Sequence, residues 1–118
     1  MTFALRPALT AARAVHRLEG EIGGATGDAL AAFLEDHAGQ PVRVIINSPG
    51  GLATEGAAMA AEIERHGQVT ALGQGIVASA ATLPFLAARQ ATMHSACLLM
   101  IHDFAARATG HPVARVMA

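Results

Sequence analysis

Pro41-Val42-Arg43-Val44-Ile45-Ile46-Asn47-Ser48-Pro49-Gly50-Gly51 is the stretch that decides the fold. Residues 42–46 are short, β-branched and almost wholly apolar, the pattern of a strand buried on both faces of a parallel sheet. Pro49 and the two glycines then turn the chain. Beyond them the spacing predicts a helix over residues 52–65, with Leu52, Gly56, Met59 and Ile63 on its apolar stripe and Glu55, Glu62 and Arg65 on the wet side.

The same strand-and-helix unit repeats on either side. Residues 14–21 read as a strand that ends at Gly23-Gly24. Thr26 is the expected N-cap of a helix over 27–37, with Leu30, Phe33 and Leu34 on one face. Residues 68–72 form a third strand, which Gly73-Gln74-Gly75 is expected to turn. A helix from near Ser79 to about Ala88 follows, and Pro84 inside it requires a short first turn or a kink. Residues 90–93 and 97–102 read as two more strands. Gly110 and Pro112 interrupt the chain before a last helical fragment, and residues 1–11 show no period. Alternating strands and helices predict an α/β fold, a layered set of short parallel strands joined by right-handed crossover helices.

The 118 residues are read as one domain, 1–118. With 53% hydrophobic and only 3% aromatic residues, the core must be built from Ala, Leu, Val, Ile and Met. A net charge of −1, with no aromatics interleaved among basic residues, argues against nucleic-acid binding. All eight basic residues are arginine. That excludes a phosphate-loop lysine, a Schiff-base lysine and a Ser-Lys dyad such as that of signal-peptide-peptidase-like hydrolases. Cys97 is the single cysteine, so no internal disulfide can form, and a reduced, cytoplasmic setting is expected. Pro7, Arg13 and Arg17 interrupt the N-terminal apolar run and argue against a secretory signal. Residues 66–88 lack formal charge, yet Gln68, Gly73, Gln74, Gly75, Ser79 and Pro84 divide them into strand, turn and helix rather than a membrane span.

Three places carry chemistry. In the turn at 47–51, the absence of Cβ atoms lets a carbonyl approach, and the Gly51 N–H is a candidate donor to an oxyanion. Ser79, among the small residues of Gly75-Ile76-Val77-Ala78-Ser79-Ala80-Ala81, opens a helix near its positive dipole end, with the Ala80 N–H as a second candidate donor. His102 ends an apolar strand, where an imidazole can emerge into a cleft. Each has a plain structural use as well: a Gly-rich connection, an N-cap serine, a rim histidine. The strand period of two puts Cys97 on the face opposite His102 and turns Asp103 away from it. Neither a Cys-His dyad nor an orienting Asp103 is therefore expected. The remaining histidines show no metal-ligand spacing, and no metal or cofactor is expected.

Gly20-Glu21-Ile22, Ile45 through Gly51, Gly75 through Ala80 and Met100-Ile101-His102, in that order, resemble the proteolytic subunit of the Clp protease, a serine peptidase with a crotonase-like fold. The resemblance covers residues 18–103. Its Ala-Ser-Ala-Ala variant is closer to Clp-like proteases of phages and prophages. It implies Ser79 as nucleophile, His102 as general base, and Gly51 and Ala80 as oxyanion-hole donors. It also implies a peptide or unfolded-protein substrate, a homo-oligomeric ring and an AAA+ ATPase partner.

The family's triad aspartate, which lies well beyond the histidine, and its proline two residues after the histidine have no counterpart in these residues, and its long ring-joining helix is at best begun at residues 113–118. The chain is thus expected to be a truncated member of weak or no activity. Two other readings share these residues: a non-catalytic subunit or remnant of a phage or prophage assembly, and a crotonase-type acyl-CoA enzyme.

Overall fold

Five parallel strands and three helices make up residues 14–101, the part of the chain that the computed structural model describes. In order they are β1 (Ala14–Glu19), α1 (Gly24–Asp36), β2 (Val42–Ser48), α2 (Ala53–His66), β3 (Val69–Ala78), a 3-10 turn (Ser79–Ala81), α3 (Thr82–Ala87), β4 (Gln90–Met93) and β5 (Leu98–Met100). The sheet runs β1-β2-β3-β4, with β5 also on β3, and every pairing is parallel. This is the α/β architecture expected from the alternation of elements. A strand has two edges. β2 and β4 pair the same stretch of β3, and β2 and β5 both pair Val77, so β4 and β5 lie end to end along one edge of β3.

Adding each strand beside the last in one direction, with crossovers of one hand, places the connecting helices on one face of the sheet. The core forms there. Val42, Val44 and Ile46 of β2 are buried beneath Leu30 and Leu34 of α1, Met59 and Ile63 of α2 and Phe85 of α3. The stripe expected on α2 is correct at Gly56, Met59 and Ile63, which are buried. Leu52 departs from it. It precedes the helix in extended backbone and is 58% exposed. Glu55 and Glu62 are half-buried along the groove between α1 and α2 rather than fully wet.

Other boundaries shift for identifiable reasons. Helix α1 starts three residues before the expected position, with Gly23 as N-cap. Thr26 lies inside the first turn, where its hydroxyl accepts from the Gly23 N–H at 2.8 Å. The 3-10 turn lets α3 begin at Thr82, so Pro84 falls in its first turn, where no helical N–H partner is needed. No helix of the described residues is long and apolar enough to cross a membrane.

His16 of β1 packs its ring 5.1 Å from that of Phe33, which lies 4.6 Å from His37. Burial lowers the His16 pKa below its ordinary 6.5. The unfolded chain therefore takes up a proton that the folded one resists. The contribution of His16 to stability is full above pH 6.5 and is lost as the pH drops below it. Urea midpoints across pH 5–8 should show this fall, and His16→Phe should flatten it. An unchanged slope in the variant would assign the fall elsewhere.

Candidate active site

In a parallel sheet all strands end on the same side, and that side is where α/β folds place their sites. The turn after β2 and the residue after β3, Ser79, both lie there. β5 pairs β3 through Ala78↔Met100. The chain therefore reaches Ile101 beside the end of β3. His102 and Asp103 lie outside the described residues.

Ser79 is 8% exposed and has a left-handed φ of +55°. Among the described residues it is the only non-glycine with positive φ. Such backbone is strained for any side chain and persists only where surrounding contacts impose it. The contacts are present. Thr82 Oγ1 donates to the Ser79 carbonyl at 2.7 Å. Beneath the 3-10 turn lies Gly56 of α2, where a methyl would sit 3.1 Å from Ala80 Cβ. Among the described residues, the Ser79 hydroxyl has no hydrogen-bond partner.

Gly50, at φ +108°, presses its backbone against the serine: a Cβ there would lie 2.7 Å from Ser79 Cβ and 2.8 Å from the Ala78 carbonyl oxygen. Gly51 at φ +153° is pressed as closely on the other side, against the backbone of Ile22. The Ile22 N–H donates to Gly50 C=O at 2.8 Å, and Leu52 N–H donates to Ile22 C=O at 3.0 Å. In this parallel bridge Ile22 uses both of its backbone groups, so those of Gly51 point away from it. The Ala80 N–H belongs to the first turn of the 3-10 segment, where no intrahelical acceptor exists. A hydroxyl on strained backbone with nearby N–H groups that lack backbone acceptors is the equipment that acyl transfer requires. Glu21, Ile22, Gly23, Gly51 and Leu52 border an open groove of about 480 Å³.

Sequence reading missed two side chains that shape this end of the sheet. Asn47 Oδ1 accepts from the Ile76 N–H at 3.2 Å, bracing the part of β3 that leads to Ser79. Ser48, fully buried, accepts from the Gly50 N–H at 3.1 Å. A serine two residues before a turn glycine is a local signal for such a bond. Cys97 is buried, as expected of a small core residue. Among the described residues no group of His, Cys, Asp and Glu could hold a metal ion.

The family model of the Clp protease matches residues 16–114. The chain belongs to the Clp protease family. Among solved structures, an asparagine-to-aspartate mutant of ClpP1 from Listeria monocytogenes aligns with a TM-score of 0.72 and 23% identity, over 91% of this chain and 64% of that one. ClpP1 from the same organism aligns at 0.69 and 24%, over 85% and 61%. The ClpP protease catalytic domain from Plasmodium falciparum aligns at 0.68 and 25%, over 83% and 56%. This Clp protease family member thus shares their fold and spans between 56% and 64% of their length. No curated protein matches it.

Proposed function

We propose that this Clp protease family member is a serine endopeptidase in which Ser79 is the nucleophile and His102 the general base. The observation that carries the reading is the left-handed backbone of Ser79 at the end of β3, against Gly50. A serine that only capped a helix would need no such strain. In the proposed reaction the His102 imidazole takes the Ser79 proton and Oγ attacks a peptide carbonyl. The N–H groups of Gly51 and Ala80 hold the oxyanion. The imidazole then protonates the leaving amine, and water, activated by the same imidazole, releases the acyl group.

The substrate is a peptide or unfolded chain, and the groove bordered by Ile22, Gly51 and Leu52 supports a peptide as its class. The protein acts as a homo-oligomeric ring fed by an AAA+ ATPase. Association is supported by the apolar edge at β5, where Leu98, Leu99, Met100 and Ile101 are all exposed.

The test is cleavage of a fluorogenic peptide. His102→Ala should slow it by about a hundred- to ten-thousand-fold, the range general-base catalysis supplies. Equal rates in both proteins would refute the proposed base.

A further inference from the structure

Ser48 is fully buried at the end of β2, yet it is not part of the hydrophobic packing. Its hydroxyl points at the turn that follows, and the Gly50 N–H donates to it at 3.1 Å. Gly50 is the residue whose backbone touches Ser79, and its carbonyl is already held by the Ile22 N–H at 2.8 Å. Leu52 N–H is likewise held by Ile22 C=O at 3.0 Å. Between Gly50 and Leu52 both flanking N–H groups are thus tied down, and the one between them, that of Gly51, faces away from Ile22.

We propose that Ser48 is a positioning residue: by holding the Gly50 N–H, its hydroxyl fixes the Pro49-Gly50 peptide, so that the adjoining Gly50-Gly51 peptide, whose carbonyl Ile22 holds, presents the Gly51 N–H to the carbonyl that Ser79 attacks. Its catalytic half rests on the peptidase reading; the structural half stands by itself. The physical reasoning is local. Glycines at φ +108° and +153° have several backbone wells open to them. An oxyanion donor is effective only if its direction is set before the reaction. Ile22 fixes the turn from one side only. Without a second anchor, on the Pro49-Gly50 peptide, φ and ψ of Gly50 can readjust and tilt the Gly51 N–H about the one bond that Ile22 provides. Ser48 is that anchor, and its burial removes competing water from the bond.

The test uses the whole chain, with Ser48→Ala and the hydroxyl-retaining Ser48→Thr. By amide hydrogen exchange, the Gly50 N–H should exchange about ten- to hundred-fold faster in Ser48→Ala, the factor for one ordinary hydrogen bond lost, and stay protected in Ser48→Thr. Unchanged exchange at Gly50 in Ser48→Ala would overturn the proposal even if Ser48→Thr fails to fold.

The catalytic half is read with an ester and its thiono analogue, whose C=S accepts hydrogen bonds weakly. The parent should prefer the oxygen ester in kcat/KM, and Ser48→Ala should shrink that preference about tenfold. A variant that loses activity on both esters equally would leave Ser48 a purely structural role and overturn the positioning claim. A parent that turns over neither ester would refute Ser79 as nucleophile and the catalytic half with it, while the exchange result would still decide whether Ser48 holds the turn.

Discussion

A fluorophosphonate should label the parent chain once, and both Ser79→Ala and Ser79→Gly should abolish that label completely. In the labelling step Oγ forms a bond to phosphorus, fluoride leaves, and the hydroxyl proton passes to the base. Removing Oγ removes the bond-forming atom, so no residual rate is expected. Labelling of either variant at the parent's rate would show that another residue reacts and would end the Ser79 reading.

The two variants should differ in stability. Alanine keeps the strain of φ +55°, whereas glycine accepts it freely. Left-handed backbone costs a side chain roughly 1–2 kcal/mol, and glycine gives part of that back through the entropy of the unfolded chain. Ser79→Gly should therefore be the more stable by about 1 kcal/mol in urea denaturation. If alanine were the more stable, the strain assigned to this position would be absent. A serine retained where glycine folds better is a site held for its hydroxyl.

The second large effect is on folding. Gly51→Ala places a methyl on the backbone of Ile22, overlapping both its carbonyl and its N–H. Neither group is a flexible side chain that could swing away. To make room, the Ile22 bonds to Gly50 and Leu52, at 2.8 and 3.0 Å, must lengthen or break. Left-handed strain, two lost backbone bonds and displacement of a buried isoleucine together point to about 4 kcal/mol. That is a large share of the roughly 5–15 kcal/mol that holds an ordinary domain together. Gly24→Ala is the control. Gly24 lies in the first turn of α1, and nothing comes within 4 Å of the place its new methyl would take, so the change should be neutral or gain up to about 1 kcal/mol. Equal urea midpoints for the two variants would refute the close approach at Gly51.

The unit from Pro41 to about residue 65 was legible because two independent signals agree there. The apolar run has the length of a strand, and the stripe after it has the period of a helix. The stretch from Val69 to Ala78 was not. Gly73-Gln74-Gly75 has turn composition, yet β3 runs through it. Pairing on both edges overrides the local preference: Gly73 is matched to Ile46 on one side and Met93 on the other. The glycines still mark an irregularity. From Ile46 to Ser48 the chain advances two positions while its partner goes four, from Gly73 to Val77. The excess residues form a bulge, and the Asn47 side chain accepts the Ile76 N–H that the broken ladder leaves over. Glycine thus signals a bulge or a turn alike, and only the neighbouring strands decide which.

At the candidate site, the residue types and their order were readable, and the backbone state of Ser79 was not. A left-handed serine carries no mark in its own sequence. It is imposed by Gly50 and Gly56, which are distant along the chain and are brought in by β2 and α2. The hydrogen bond from Gly50 to Ser48 is a local one, but its value comes from what Gly50 touches.

The strand order β1-β2-β3-β4 follows the chain itself. Among the described strands, each one made during synthesis meets an earlier neighbour, and none waits for a later one to wedge in between. Growth from the N-terminus keeps the loops to be closed short, which favours quick assembly and limits the time an unpaired edge spends in solution. When Ser79, which follows β3, leaves the ribosome, the glycine turn that presses on its backbone has already been made.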